Sequence, residues 1–272
     1  MEDEPHTILP DSNRVSVLLA AILLAYALAH LIEVPQVPLT FNILGIIIPI
    51  PFDINIATTL MASGLTAAGM DWLLRGHPRY EGGNTFQHWL LPALTTFVLG
   101  VPLYNLPMGP AWWLSFIFGG VLLFLIFVAE YIALDPEDLR YPAASAGLVA
   151  LSYTLFLILC ITLAFSVSRL ILIALIVFFT AGMVVLRSLH LRTGKWEFSW
   201  AFGIGLILMQ LSAALHYLPL KPIQYGLVLL APLFSLTEFA QNIHEEYSIR
   251  RAGLEALVAL AIIWIAAFLF RG

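Results

Sequence analysis

The fold is decided by residues 147–186, which read GLVALSYTLFLILCITLAFSVSRLILIALIVFFTAGMVVL. Arg169 is the only charged residue in this stretch. A transmembrane α-helix needs about 20 consecutive apolar residues to cross roughly 30 Å of hydrocarbon. The stretch therefore holds two spans, and the few residues around Ser166–Arg169 leave room only for a tight connection. We predict an antiparallel pair of transmembrane helices.

Similar apolar windows recur along the whole chain and are separated by proline, glycine and charged clusters. They predict nine spans, at about 14–34, 54–75, 86–105, 111–134, 142–166, 168–189, 197–218, 222–243 and 250–270. No linker is long enough to separate domains. We therefore predict an all-α membrane protein, with residues 1–272 forming a single polytopic transmembrane domain.

The composition supports a membrane protein and excludes several other classes. Of the 272 residues, 61% are hydrophobic and 11% are charged, whereas soluble domains average about 25% charged residues. The net charge of −5 argues against nucleic-acid binding, which requires a basic surface. The lone Cys160 excludes an intrachain disulfide and a cysteine-based metal site. The expected partners are the lipid bilayer and, in one hypothesis, other membrane subunits.

The distribution of basic residues predicts the orientation, because Lys and Arg accumulate in cytoplasmic loops. One set of alternate connections holds nine of the twelve basic residues, and the other set holds Arg169, Lys221 and Arg271. With nine spans, this bias predicts a cytoplasmic N-terminus and an external C-terminus. The expected location is the cell membrane, inner or plasma, as a multi-pass protein.

Two connecting segments carry local structural signals. Residues 34–56 read VPQVPLTFNILGIIIPIPFDINI, and their prolines and β-branched residues disfavour a helix and predict a short external β-hairpin after the first helix. Residues 134–142 read LDPEDLRYP. There Asp135 is suited to cap a helix whose first residue is Pro136.

Ionisable groups inside the predicted spans are candidates for function, because burial in hydrocarbon is costly. Asp71, Glu130 and Glu238 lie four to six residues from predicted cytoplasmic ends, roughly 6–9 Å deep at 1.5 Å per residue, and His88 enters at a similar depth. We predict that these four residues line a cytoplasm-facing polar cavity and bind a ligand. The alternative is pairing with arginines of the same face, without a function.

A second group of ionisable residues is predicted on the external side. His30 and Glu33 are three residues apart and share a helix face. Together with His216 they could supply three ligands to a divalent metal if the first and seventh spans met, although a satisfied interfacial pair is the simpler interpretation. We assign no metal ligand and no catalytic residue, and we expect no cofactor. No pair of histidines lies at midplane positions suited to haem.

Two resemblances bear on function. The string EEYSIR, 245–250, resembles the first motif of the CAAX-type prenyl-protease family, but no histidine follows it, so a charged loop is the simpler explanation. The strings GMDWLLRGHP, 69–78, and HWLLP, 88–92, resemble an uncharacterised family of bacterial multi-spanning membrane proteins. That resemblance implies no activity, but it draws attention to Asp71, Arg75, His77 and His88 as a local unit.

Three functions follow as hypotheses. The first is binding or transport of an ion or a small hydrophobic or lipidic molecule through the cytoplasm-facing polar cavity. The second is a structural subunit of a larger membrane complex, since the chain has almost no soluble mass. The third is an intramembrane metal-dependent hydrolase, which requires His30, Glu33 and His216 to converge. An enzyme is the less favoured class.

Overall fold

The computed structural model describes residues 9–269 apart from 32–36, 44–45, 53, 81, 84 and 166–169. The chain divides into two compact units, residues 1–141 and 142–272. Each is a group of helices, as the apolar windows predicted. Whether the two behave as one domain stays a prediction.

The first unit contains four long helices: α1 (Ser12–Leu31), α2 (Ile54–Leu74), α3 (Leu90–Asn105) and α4 (Pro110–Ile132). A short 3₁₀ helix, Phe86–His88, precedes α3. Helix α2 packs on α1 and α3, and α4 packs on α3 and α1. Two buried hydrogen bonds join three of these helices: the Tyr26 hydroxyl of α1 donates to the Thr96 carbonyl of α3 over 2.6 Å, and the Thr66 hydroxyl of α2 lies 2.9 Å from that of Thr96.

Between α1 and α2 the backbone forms two antiparallel strands, β1 (Val37–Ile43) and β2 (Ile46–Phe52). Their register pairs Val37 with Phe52 and Ile43 with Ile46. The position of this segment on the external side of the membrane stays a prediction.

The second unit contains the other five helices: α5 (Tyr141–Phe165), α6 (Leu170–Thr193), α7 (Phe198–Leu215), α8 (Pro222–His244) and α9 (Ile249–Leu269). Helix α6 packs on α7, α8 packs on α9, and α8 also contacts α6 and α7. Helix α5 approaches α8 where the rings of Tyr153 and Phe234 lie 5.3 Å apart. Proline at the first position of α8 suits a helix start because its missing N–H has no partner there in any case.

Eight helices of the described chain are long and apolar enough to cross a membrane, which identifies a multi-pass membrane protein. They are α1, the 3₁₀ helix with α3, and α4 through α9. Helix α2 has 21 residues but is not among the eight. Its threonines, its glycines and Asp71 dilute its apolar residues, and part of that polar content faces inward, as Thr66 does.

The predicted helix start at Asp135 and Pro136 is wrong. Residues 135–140 form turns, and α5 begins at Tyr141. The Asp135 carboxylate accepts a hydrogen bond from the backbone N–H of Glu137 over 3.1 Å and also binds Arg79. The backbone N–H of Arg140 is bound by Asp138 over 2.8 Å. The acidic residues therefore fold the loop itself, and the helix follows it.

Two glycines of α7 differ in how closely a neighbouring helix approaches them. A Cβ added at Gly205 would lie 3.0 Å from the backbone carbonyl oxygen of Phe178, whereas one added at Gly203 would meet nothing within 4 Å. Backbone cannot move aside as a side-chain tip can, and overpacking costs about 1–3 kcal/mol. We therefore expect Gly205→Ala to lower the thermal unfolding midpoint in detergent. Gly203→Ala is the matched control and should leave it unchanged or slightly higher; equal midpoints for the two variants would contradict the packing of α6 on α7.

Candidate functional site

A buried hydrogen-bonded pair in the first unit joins two of the residues singled out from the sequence. The imidazole Nδ1 of His88, at the end of the 3₁₀ helix, lies 2.7 Å from Oε2 of Glu130 in the last turn of α4. Only 1% of His88 and none of Glu130 is exposed. Because the two residues are 42 positions apart in the chain, their meeting depends on the packing of the helices that carry them.

The second ring nitrogen of His88 also has a polar neighbour, since Nε2 lies 3.0 Å from the side-chain amide nitrogen of Gln87. An amide N–H that donates to Nε2 requires that nitrogen to be unprotonated. With the Gln87 amide in this orientation, Nδ1 is the nitrogen that donates to the Glu130 carboxylate.

Asp71 holds the segment that leads into His88. At the end of α2 its carboxylate accepts a hydrogen bond from Arg75 over 2.7 Å, so the pair expected from the i, i+4 spacing forms. The other carboxylate oxygen accepts the Thr85 hydroxyl over 2.5 Å, and Thr85 in turn accepts the indole N–H of Trp89 over 3.0 Å. Residues on both sides of His88 are thereby tied to α2.

A third set of contacts lies beside this pair and was not foreseen from the sequence. Arg79 binds Asp135 over 2.8 Å and Glu137 over 2.7 Å, which links the loop after α2 to the loop after α4. The backbone N–H of Arg79 donates to Nδ1 of His77 over 3.1 Å. The His77 ring packs edge-on against Tyr131, 4.6 Å between centroids. The only signal in the sequence was that both loops were predicted on the same side.

Burial and neighbouring charges set the protonation of the loop residues. His77 is only 5% exposed, and desolvation lowers its pKa, with Arg79 adding to that effect while Asp135 and Asp138 oppose it. The Arg140 guanidinium, which binds the Asp138 carboxylate over 2.8 Å, lowers the pKa of Asp138 to about 2. Asp138 is therefore charged at any ordinary pH, and the neutral form of His77 is favoured.

The structure divides the four predicted ligand-binding residues between the units. Asp71, His88 and Glu130 belong to the first unit, and Glu238 lies on α8 of the second. Glu238 is a quarter exposed at its side chain and lies 3.4 Å from Arg192, so its partner is an arginine of its own unit. That all four residues line one cavity stays a prediction.

The external residues proposed as metal ligands are also divided between the units. The His30 ring lies 5.2 Å from that of Trp112 in the first unit, His216 ends α7 in the second, and Glu33 lies outside the described residues. Within the described part of the chain, no group of three or more His, Cys, Asp or Glu residues could hold a metal ion. The hydrolase hypothesis gains no support.

One family model, described as "Protein of unknown function (DUF5656)", matches residues 34–270. The match covers most of the chain and carries no activity. That this is the bacterial family which the strings at residues 69–78 and 88–92 resemble stays a prediction. No curated protein and no solved structure matches the chain.

The buried pair should make a large contribution to stability that is specific to Glu130. Glu130→Ala leaves the buried Nδ1 of His88 without its hydrogen-bond partner, and a buried polar group left unsatisfied costs about 1–3 kcal/mol, more where it is charged. Glu137→Ala is the matched control, because Glu137 is 78% exposed at its side chain and solvated pairs contribute about 0.2–1 kcal/mol. We expect the unfolding midpoint in detergent to fall far more for Glu130→Ala. Similar midpoints for the two variants would show that the His88–Glu130 contact does not contribute to stability.

His77 should make stability dependent on pH. Because its pKa is lowered in the folded protein, the unfolded chain binds a proton more readily, and acid favours unfolding. The stabilisation is complete above the unfolded pKa of about 6.5 and is lost as the pH falls towards the lowered folded value. We expect acidification to lower the unfolding midpoint of wild type by more than it lowers that of His77→Gln. The prediction fails if the two proteins respond to acid identically.

Proposed function

The chain belongs to the family described as "Protein of unknown function (DUF5656)", and from that premise we propose that it binds or transports an ion, a proton in the first place, at the buried His88–Glu130 pair. The observation that carries the proposal is a 2.7 Å contact between two ionisable side chains that are 1% and 0% exposed, in a chain with eight helices able to cross a membrane.

The burial of this pair is the first argument. Two ionisable groups removed from water lose several kcal/mol of solvation each, and apolar side chains of similar volume fill such positions without that loss. Ionisable residues within membrane segments are therefore functional candidates by default. Among the described residues of the first unit, Glu130 and His88 are the most deeply buried ionisable side chains. They also contact each other directly.

The chemistry of the pair is the second argument. The imidazole side chain can carry one proton or two, and it is the side chain that commonly exchanges a proton in the range where cellular pH varies. Nε2 can receive the additional proton if the Gln87 amide turns its oxygen towards the ring, which needs only a rotation of the amide. The site can therefore take up and release a proton with small movements of one side chain.

The location of the pair is the third argument. We assign α2 as a ninth span, because 21 helical residues rise about 31 Å at 1.5 Å per residue, enough for the hydrocarbon layer. With nine spans, the arginine bias favours a cytoplasmic position for the ends of α2 and α4, and with them for Asp71, His88 and Glu130. Arg75, Arg79 and the acidic loop 135–138 would surround the entrance to the site.

A structural subunit remains the second candidate, and one observation favours it. Only 11% of the apolar window of α9 is buried inside the chain, the smallest share among the eight spans. Such a surface can face lipid or the helix of another subunit. A stoichiometric partner that co-purifies in mild detergent would support this candidate.

Proton movement through the site can be measured in liposomes that contain a pH-sensitive dye. With a potassium diffusion potential as the driving force, wild type should change the internal pH faster than protein-free liposomes. Glu130→Gln and His88→Gln should reduce that rate to the protein-free level, because each variant removes one of the two ionisable groups of the pair. Glu255→Gln is the control, since Glu255 is half exposed and binds Arg251 at the surface.

Two outcomes decide the proposal. Loss of flux in both pair variants, at unfolding midpoints that show folded protein, supports it. Wild-type flux in Glu130→Gln, or no flux above protein-free liposomes in wild type, would contradict it.

A further inference from the structure

A cavity of about 130 Å³ lies in the second unit, where α5 ends and α6 begins and where α7 ends and α8 begins. All four helices contribute to its wall. The residues that matter for its chemistry are Leu163 on α5, Ile173 on α6, Leu215 and His216 at the end of α7, and Tyr225 on α8. We call this space the four-helix cavity.

Part of the wall is aliphatic and well buried, since Leu163, Ile173 and Leu215 are 4%, 2% and 7% exposed. A water molecule takes up about 30 Å³ in the liquid and needs two to four polar partners when it is bound. Water alone is therefore a poor match for a space of this size beside three aliphatic side chains. A cavity of about 150 Å³ that is lined by such side chains stays dry and binds benzene. The four-helix cavity thus suits a hydrocarbon group with about the volume of a benzene ring.

Two of the lining residues add hydrogen-bonding side chains. The imidazole of His216 has one nitrogen that donates and one that accepts when the ring is neutral. The hydroxyl of Tyr225, a residue that is 5% exposed, lies 2.7 Å from the hydroxyl of Ser212. A phenolic hydroxyl can both donate and accept, so this contact leaves Tyr225 the capacity for a second hydrogen bond. The cavity therefore offers a polar part as well as an aliphatic one.

The charges around the cavity limit the ligand further. No Asp, Glu, Lys or Arg is among the described residues that line it. A cation would have no carboxylate to balance it there, and an anion would find no lysine or arginine. Burying a charge without a partner costs far more than burying a hydroxyl that is hydrogen-bonded. An uncharged ligand is the match, and a hydroxyl can donate to a neutral imidazole or accept from a tyrosine.

We propose that the four-helix cavity binds a small uncharged amphipathic alcohol, for which phenol is the model compound. Its hydrocarbon part packs against Leu163, Ile173 and Leu215, and its hydroxyl bonds to His216 or Tyr225. His216, considered above as a metal ligand, serves here as an uncharged hydrogen-bonding group. The site is independent of the proton-binding proposal, because it uses other residues in the other unit.

The probe is para-fluorophenol, because ¹⁹F NMR distinguishes a ligand on the protein from the same ligand dissolved in detergent micelles. It is titrated into the full-length protein, and protein-free micelles give the background. We expect saturable binding at one site per chain. Ala164→Leu should weaken that binding by about tenfold or more, since Ala164 lines the cavity and a larger side chain takes up part of the space.

Ala214→Leu is the matched control and should leave binding unchanged. Ala214 is an exposed helical alanine, as Ala164 is, and belongs to α7, but it is not among the residues that line the cavity. Unfolding midpoints show whether each variant is folded. If Ala164→Leu is not, Ala164→Val supplies a smaller change at the same position.

Fluorobenzene, which lacks the hydroxyl, tests the polar part of the site. It should bind more weakly than para-fluorophenol. The double variant His216→Phe, Tyr225→Phe should weaken para-fluorophenol about fivefold, as expected for the loss of one hydrogen bond, and leave fluorobenzene unchanged.

Three results would overturn the proposal. The first is no saturable binding of para-fluorophenol above the micelle background. The second is equal binding by folded Ala164→Leu and wild type. The third is fluorobenzene that binds as tightly as para-fluorophenol, which would show a cavity for hydrocarbon alone, such as the end of a lipid acyl chain.

Discussion

Hydrocarbon offers no hydrogen-bond partner to a backbone N–H or C=O group, and the remaining features of this protein depend on that constraint. A helix satisfies the backbone within one segment, so apolar windows of the chain become helices. The same constraint acts on side chains. Hydroxyls within the helices donate to the carbonyl four residues earlier, as they do at Thr66, Thr95, Thr96, Ser152 and Thr180. Such residues satisfy themselves locally and need no other helix.

The groups that cannot be satisfied on their own helix are the ones that suggest function. In the first unit, the imidazole of His88 contacts the carboxylate of Glu130, although the two residues are 42 positions apart in the chain. Contacts of Thr85, Asp71 and Gln87 hold the segment around His88 in place.

Periodicity and hydropathy were sufficient to predict where the helices lie, because a span is a local property of about 20 residues. Helix α4 was expected at 111–134 and lies at Pro110–Ile132. Non-local features were harder. Glu130 was selected for its depth, but nothing in the sequence indicated that its partner would be His88 and not an arginine. Asp135 was predicted as a helix cap because cap residues and acidic ion-pair residues are the same types; its partner Arg79 lies 56 positions away.

The central claim is that the His88–Glu130 pair takes up and releases a proton, and ¹⁵N NMR of the histidine ring tests it most directly. With selectively labelled histidine and His88→Gln to assign the signal, the two ring nitrogens of His88 are followed between about pH 5 and 8. The account predicts a neutral ring protonated at Nδ1 at the upper end, and a shift of both nitrogens to imidazolium values as the pH falls. Nitrogen shifts of His88 that stay constant over this range in folded protein would contradict proton exchange and leave the pair with a structural role.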